Sequence, residues 1–213
     1  MTMANILFFD TSFESCKIII SKNGKVCFYL DDSRNLRHSQ KLLADIDYAL
    51  KSNNLSLDDI DYIAAPLGPG TFTGIRICLA TAKSFCFALN KKLILLNNLE
   101  TFIFAFENYY LDNSQIFAFI NAGNNMFYFS NFYYIPTQFQ AITENSLIEK
   151  SEISNLLNNS SNLKYIIADY SLIDFLKNDN FNNCRFINSI DISADMINKL
   201  LISKIQKNDF ANV

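Results

Sequence analysis

Tryptophan is absent from this sequence, and histidine, proline and glycine are scarce, with one, three and five copies among 213 residues. A lone histidine, His38, excludes a histidine-pair metal centre, and no Cys-x-x-Cys pair offers a thiolate one. The five cysteines (Cys16, Cys27, Cys78, Cys86 and Cys184) are odd in number and widely spread, so buried free thiols in a reducing compartment are expected. Basic clusters are missing too: 18 Lys and Arg stand against 21 Asp and Glu, and the densest basic spot is the pair Lys91-Lys92. Direct binding of nucleic acid, which needs clustered positive charge, is therefore not expected. No apolar run approaches the ~20 residues that span a bilayer. Met1-Thr2-Met3-Ala4-Asn5 has no basic leader, and Asp10 interrupts the first apolar run, so a cytoplasmic protein without a membrane partner is expected.

What remains is a globular composition, half apolar and 18% charged. A chain of this size can bury about 70% of its unfolded surface, enough for one large or two small domains. Asn, Ile, Lys and Phe are used heavily throughout, which reads as compositional bias.

The pattern along the chain alternates between strand and helix signals. Ile6 to Phe9 is a short apolar run closed by Asp10-Thr11-Ser12, which predicts a first strand. Lys17 to Ser21 and Lys25 to Leu30 flank Asn23-Gly24, a pair suited to a type I′ hairpin because both positions tolerate positive φ. From Ser39, a plausible N-cap, to Asn53 the apolar residues fall at helical spacing, and Tyr62 to Ala65 is a strand leading to Pro66. Thr73 to Leu89, Leu93 to Leu96 and Leu99 to Tyr109 then read as helix, strand and helix. Past about Asn113 the alternation restarts. Strands are expected at Ile116 to Ile120, Phe127 to Phe132, Tyr165 to Ala168 and Arg185 to Ile187. Helices are expected near Ile153 to Leu157, Ser171 to Lys177 and Ala194 to Ile205, and a flexible turn at Asn158 to Asn162. This predicts an α/β fold of two ribonuclease H-like lobes, residues 1–110 and a smaller, reduced lobe 111–213, each a mixed sheet flanked by helices. No sequence repeat relates the two halves.

Three of the five glycines and two of the three prolines lie in Pro66-Leu-Gly-Pro-Gly-Thr-Phe-Thr-Gly74, between a strand and a helix. Free N–H groups and a positive dipole end make such a junction an anion site; a tight turn capped by Thr71 or Thr73 is the structural alternative. Spacing excludes the common phosphate loops, because Gly74 is followed by Ile75-Arg76 rather than Lys-Ser/Thr, and a dinucleotide loop would need a different glycine gap. His38 as a general acid or base, and Ser12 as a nucleophile, have no partner that the sequence identifies.

Three segments together resemble the TsaB (YeaZ) family. They are Ile6-Leu-Phe-Phe-Asp-Thr-Ser12, Arg37-His-Ser-Gln-Lys-Leu-Leu43, and Gly68-Pro-Gly-Thr-Phe-Thr-Gly-Ile-Arg76 with Ala80-Thr-Ala-Lys83. Thr71 stands where the family often has Ser, Gln40 where it often has Glu, and Ala44 where Pro is common. The segment Asn121-Ala-Gly-Asn-Asn-Met-Phe-Tyr128 keeps only Ala122 and Tyr128 of the family pattern, so the second half resembles it weakly. The resemblance implies the fold of the actin, heat-shock protein 70 and sugar kinase superfamily. It further implies an accessory role in threonylcarbamoylation of the adenosine beside the tRNA anticodon. The implied partners are a catalytic TsaD-like paralogue and a TsaE-like ATPase, with tRNA held only through the complex. No intrinsic cofactor is expected, ATP and metal belonging to the partner subunits.

The residues expected to matter form two sets. Asp10, Thr11, Ser12, Gly68, Gly70, Thr71, Thr73, Gly74 and Arg76 make a structural turn or anion loop. Leu42, Leu43, Ile46 and Leu50 on the first helix, with Ile77, Ala80, Thr81, Ser84 and Ala88 on the second, are candidates for a partner interface. The second helix has only Arg76 and Lys83 as charges between Ile75 and Leu89, and a helix apolar nearly all round is covered on more than one side. A homodimer through the same helices is the alternative assembly. A stand-alone phosphotransferase, or a glycoprotease-like peptidase acting on the paralogue, is the rival function. Both rivals are opposed by the poverty of glycine beyond Gly74 and by the single histidine.

Overall fold

The computed structural model describes residues 4–33, 38–135, 138–158, 162–178, 181 and 183–212. The expected Ser39 cap, the His38 side chain and most of the turn at Asn158 to Asn162 lie outside the described residues. The chain divides into two compact units. One comprises the residues up to Asn98 together with those from Ser193 onward, and the other runs from Leu99 to Ile192.

The first unit opens with β1 (Ile6–Asp10), β2 (Cys16–Lys22) and β3 (Lys25–Asp32). It continues through α1 (His38–Ser52), β4 (Tyr62–Gly68), α2 (Phe72–Leu89) and β5 (Lys92–Asn97). Its sheet has the order β3-β2-β1-β4-β5, antiparallel among the first three strands and parallel from β1 through β4 to β5. The hairpin turn holds Asn23 at φ 52° and Gly24 at φ 78°, the geometry expected of Asn-Gly. All five residues of β1 are buried because this strand is central and covered on both faces. On one face Leu7, Phe9, Ile18, Ile20 and Ile63 pack against Leu42, Ile46, Cys78, Ala82 and Cys86 from α1 and α2.

The second unit begins with α3 (Asn98–Ala105), shorter than expected and followed by a 3-10 turn at Glu107–Tyr109. β6 (Ser114–Gly123), β7 (Met126–Ile135) and β8 (Gln138–Glu149) come next, then α4 (Lys150–Asn158), β9 (Lys164–Ala168), α5 (Tyr170–Lys177) and β10 (Cys184–Asn188). Its order, β10-β9-β6-β7-β8, repeats that of the first unit strand for strand, with two antiparallel and two parallel pairings. The sequence shows no such repeat. Only the pairing pattern is duplicated, while the side chains that fill the second core are largely phenylalanine and isoleucine. β8 was not expected from the sequence. It is an edge strand of mostly exposed residues, with pairing irregularities opposite Asn131, so its alternation is broken.

The last helix, α6 (Ala194–Gln206), belongs to the first unit, which corrects the division at residues 110 and 111. It lies against β3 and β5. A buried amide fixes it there: Asn198 Oδ1 accepts from Ser21 Oγ at 2.6 Å, and its Nδ2 donates to the Gly24 carbonyl at 3.0 Å. The tail after α6 pairs Ala211 with Leu93 and stacks Phe210 on Tyr62.

Among the described residues nine asparagines take positive φ, including Asn23, Asn90 at the end of α2, and Asn208. Asparagine therefore fills left-handed positions that glycine usually occupies, which gives part of the asparagine bias a structural use. α2 corrects the expectation about long apolar runs, since its 18 residues are long and apolar enough by composition to cross a bilayer. Here its Gly74, Cys78, Ala82 and Cys86 stripe lies buried in the core of the unit.

Candidate docking face and loop

The end of β1 and the start of α2 are packed directly on each other. Thr71 N donates to the Ser12 carbonyl at 2.7 Å, and Thr11 Oγ1 donates to the Gly74 carbonyl at 3.0 Å. Thr11 N donates to Cys78 Sγ at 3.1 Å, while Asn98 Nδ2 donates both to Ser12 Oγ and to the Pro69 carbonyl, each at 2.9 Å. A side chain at Gly70 would stand 2.6 Å from the Ser12 carbonyl, and one at Gly74 would collide with the Thr11 carbonyl and Thr71 Oγ1. These two glycines are therefore required by close approach of the chain to itself. Gly68 has φ 102° and precedes a cis Pro69.

The Asp10-Thr11-Ser12 turn is buried, and its polar groups are used internally. Ser12 N donates to Asp10 Oδ1 at 2.6 Å. Burial raises the Asp10 carboxyl above the ordinary range of an aspartate, against the lowering effect of the Ser12 bonds. The backbone N–H groups of Thr11 and Ser12 are spent within the chain, on Cys78 Sγ and Asp10 Oδ1 respectively. The expected caps do not form: Thr71 is the N-cap residue by position, but its side chain makes no capping bond. Thr73 is exposed, and Arg76 is exposed with its guanidinium 3.7 Å above the Phe72 ring.

The thiols are quiet. Burial pushes Cys16 up to about 12 and Cys78 and Cys86 up to about 11. Cys27 is exposed and Cys184 half-buried, which corrects the expectation that all five are buried. Among the described residues no group of three His, Cys, Asp or Glu is placed to hold a metal ion.

The two helices divide their surfaces unequally. Leu42, Ile46 and Leu50, expected on a partner face, are at most 4% exposed and belong to the core of their own unit, because the apolar stripe of α1 is the one that seats it on the sheet. Leu43, by contrast, is 59% exposed on the flank of α1. On α2, Ala80, Ser84 and Ala88 lie on the exposed arc, and Ile77 and Thr81 sit at its margin, half-buried. The Ser84 hydroxyl is satisfied within the helix by the Ala80 carbonyl at 2.8 Å. The sequence reading missed Phe87, which is 87% exposed, and Phe72, 67% exposed. A phenylalanine in an apolar helix reads as core, and only its angular offset from the Gly74-Cys78-Ala82-Cys86 stripe separates it from the buried side. Small residues flanked by two bare phenylalanines form an apolar strip on the exposed side of α2, the kind of surface that another protein covers.

Comparison with known proteins supplies the context for this face. Residues 33–210 match the family model described as TsaD, tRNA N6-adenosine threonylcarbamoyltransferase. The chain is 30% identical over 131 residues to the tRNA threonylcarbamoyladenosine biosynthesis protein TsaB of Haemophilus influenzae, covering 61% of this chain and 54% of that protein. It is 40% identical over 89 residues to the TsaB protein of Buchnera aphidicola subsp. Baizongia pistaciae, covering 41% and 39%. The chain thus spans about half the length or less of these curated relatives. Among solved structures, YeaZ from Pseudomonas aeruginosa superposes with a TM-score of 0.78 at 18% identity, over 99% of this chain and 96% of that one. The expected fold of two ribonuclease H-like units holds.

Proposed function

Because this chain belongs to the family described as tRNA N6-adenosine threonylcarbamoyltransferase (TsaD), on the side of its TsaB (YeaZ) members, we propose that it serves tRNA threonylcarbamoyladenosine biosynthesis as a non-catalytic subunit. In this reading the exposed arc of α2, flanked by Leu43 of α1, docks a TsaD-type paralogue that carries the reaction. ATP and metal belong to that paralogue and to a TsaE-like ATPase, and tRNA reaches the chain only through the complex.

The observation that carries the reading is the pairing of a self-bonded turn with an open helix. The amides of Thr11 and Ser12 are used within the chain, while α2 leaves Ala80, Ser84, Phe87 and Ala88 uncovered in the described structure. Small residues permit close helix approach, and fully exposed aromatics beside them are suited to become interface anchors once buried.

The reading is tested by reconstituting tRNA modification with and without this subunit, using wild-type chain and Ala80→Arg. The expected result is that wild type supports modification and co-elutes with the paralogue, whereas Ala80→Arg does neither while melting like wild type. Unchanged co-elution of the variant would refute the α2 face. Hydrolysis of ATP or cleavage of the paralogue by the chain alone, lost in Asp10→Ala, would favour an independent enzyme instead.

A further inference from the structure

The turn between β2 and β3 carries the one Asn-Gly pair in the chain. An asparagine followed by glycine is the dipeptide most open to deamidation through the backbone, because no side chain on the glycine shields its nitrogen from the neighbouring amide. Asn23 is exposed and Gly24 half-buried, so water reaches the pair. A two-residue hairpin turn is ordinarily held by its own strands alone. This one is also gripped from outside at three points. Asn23 N donates to Asn5 Oδ1 at 3.2 Å, Gly24 N donates to the Ala4 carbonyl at 3.2 Å, and the Gly24 carbonyl accepts from Asn198 Nδ2 of α6 at 3.0 Å. Asn5 is itself anchored, its Nδ2 donating to the Asp59 carbonyl at 2.9 Å and its backbone N to Asp61 Oδ2 at 2.8 Å.

Deamidation begins when Gly24 N attacks Asn23 Cγ. A C–N bond forms, the Cγ–Nδ2 bond breaks, ammonia leaves with the proton from Gly24 N, and a cyclic imide remains. Water then opens the imide at either carbonyl, giving aspartate or isoaspartate with no change of oxidation state. The first step asks that Gly24 N give up its proton and that Asn23 rotate about ψ until that nitrogen meets Cγ. Both demands are opposed here. The N–H is committed to the Ala4 carbonyl, and the rotation would swing the Asn23-Gly24 peptide away from Ala4 and draw the Gly24 carbonyl off Asn198.

We propose that Asn23-Gly24 is a deamidation site that the docked α6 keeps silent, and that its isoaspartate product keeps α6 from docking again. Isoaspartate routes the main chain through Cβ and Cγ and so lengthens the turn. A lengthened turn cannot hold Gly24 N against Ala4 while its carbonyl meets Asn198. Asn198 is the buried amide that also receives the Ser21 hydroxyl at 2.6 Å, so losing one partner leaves a buried polar group unsatisfied. Aspartate keeps the length of the turn and tolerates the left-handed backbone at φ 52°, so the isoaspartate branch is the one that acts. The first unit thereby carries a chemical record of having opened at α6.

The test follows isoaspartate at residue 23 by peptide mass spectrometry and by enzymatic isoaspartate methylation. It uses the intact wild-type chain, native and in guanidinium chloride, and native Asn198→Leu and Asn5→Ala. Native wild type is expected to be modified about tenfold or more slowly than the unfolded chain, since the reaction waits on local opening. Each variant, while folded by circular dichroism, should be modified several-fold faster than native wild type. Isoaspartate-bearing wild type, separated by ion exchange through its added negative charge, should show faster amide exchange in α6 than the unmodified chain, whereas Asn23→Asp should not. Equal rates in native and unfolded wild type, or no modification in either, overturn the proposal. So do wild-type rates in both native variants, or amide exchange in α6 that isoaspartate leaves unchanged. Should Asn198→Leu fail to fold, Asn5→Ala and the wild-type comparisons still decide the outcome.

Discussion

Replacing Gly74 by alanine sets two physical effects against each other with opposite signs. Gly74 lies in the first turn of an 18-residue helix, where alanine should stabilise by up to about 1 kcal/mol through backbone entropy alone. The added methyl, however, collides with the Thr11 carbonyl and Thr71 Oγ1, and neither β1 nor the N-terminus of α2 can retreat without moving the other. Relief requires separating the two segments, which strains the Thr11 Oγ1 bond to the Gly74 carbonyl and the Thr71 N bond to the Ser12 carbonyl. Overpacking costs about 1–3 kcal/mol, and each weakened bond adds about 1 kcal/mol. After the helical gain is subtracted, Gly74→Ala should be destabilised by about 2–4 kcal/mol, a fall in Tm of roughly 5–15 °C for a chain of this size. Gly74→Val should be worse. Urea and thermal melts followed by circular dichroism measure this directly. An alanine variant that melts at or above the wild-type temperature would show that the junction has slack and that the loop is not locked against the turn.

Other substitutions separate core from surface. Leu42→Ala should cost about 2–5 kcal/mol, whereas Leu43→Ala and Phe87→Ala should stay within about 0.5 kcal/mol of wild type in urea melts, and a reversed order would mean that the faces of α1 and α2 are misassigned. Asn198→Leu leaves the Ser21 hydroxyl and the Gly24 carbonyl without their partner and should cost about 1–3 kcal/mol by the same measurement. Asp10 has its carboxyl raised by burial, so the folded state holds the proton more tightly than the unfolded state does. Its contribution is fully present below the unfolded value of 3.8 and is lost as pH rises through the folded value. Asp10→Asn, which keeps an oxygen for Ser12 N, should therefore gain stability relative to wild type as pH rises above the ordinary aspartate value. A difference independent of pH would count against a buried, raised carboxyl.

Much of the fold was legible where local chemistry and tertiary structure agree. Asn23-Gly24 permits few alternatives to its hairpin, and the first unit's strands were located to within one or two residues at most of their ends. β4 ran further than expected, through Pro66 to Gly68, because its pairing with β5 continues past the proline. β8 was illegible because an exposed edge strand lacks a buried face to impose alternation. The return of α6 to the first unit was equally hidden, since its anchor is one buried asparagine whose partners lie 174 and 177 positions away. The site was half legible. The glycine loop announced a close approach, but not that the approaching group was the chain's own Thr11 and Ser12 backbone. The periodicity of α1 marked Leu42, Ile46 and Leu50 as apolar without saying which surface they would meet.

The division of labour along the polypeptide has a bearing on how the protein is made. The unit that bears α2 is assembled from two stretches separated by the whole of the other unit, its sheet laid down early and its closing helix supplied only after residue 193. During synthesis, therefore, the half that would recognise another subunit waits unfinished while the intervening half is translated. A nascent chain stalled anywhere in that interval would hold the strands of this unit without the helix that lies against β3 and β5.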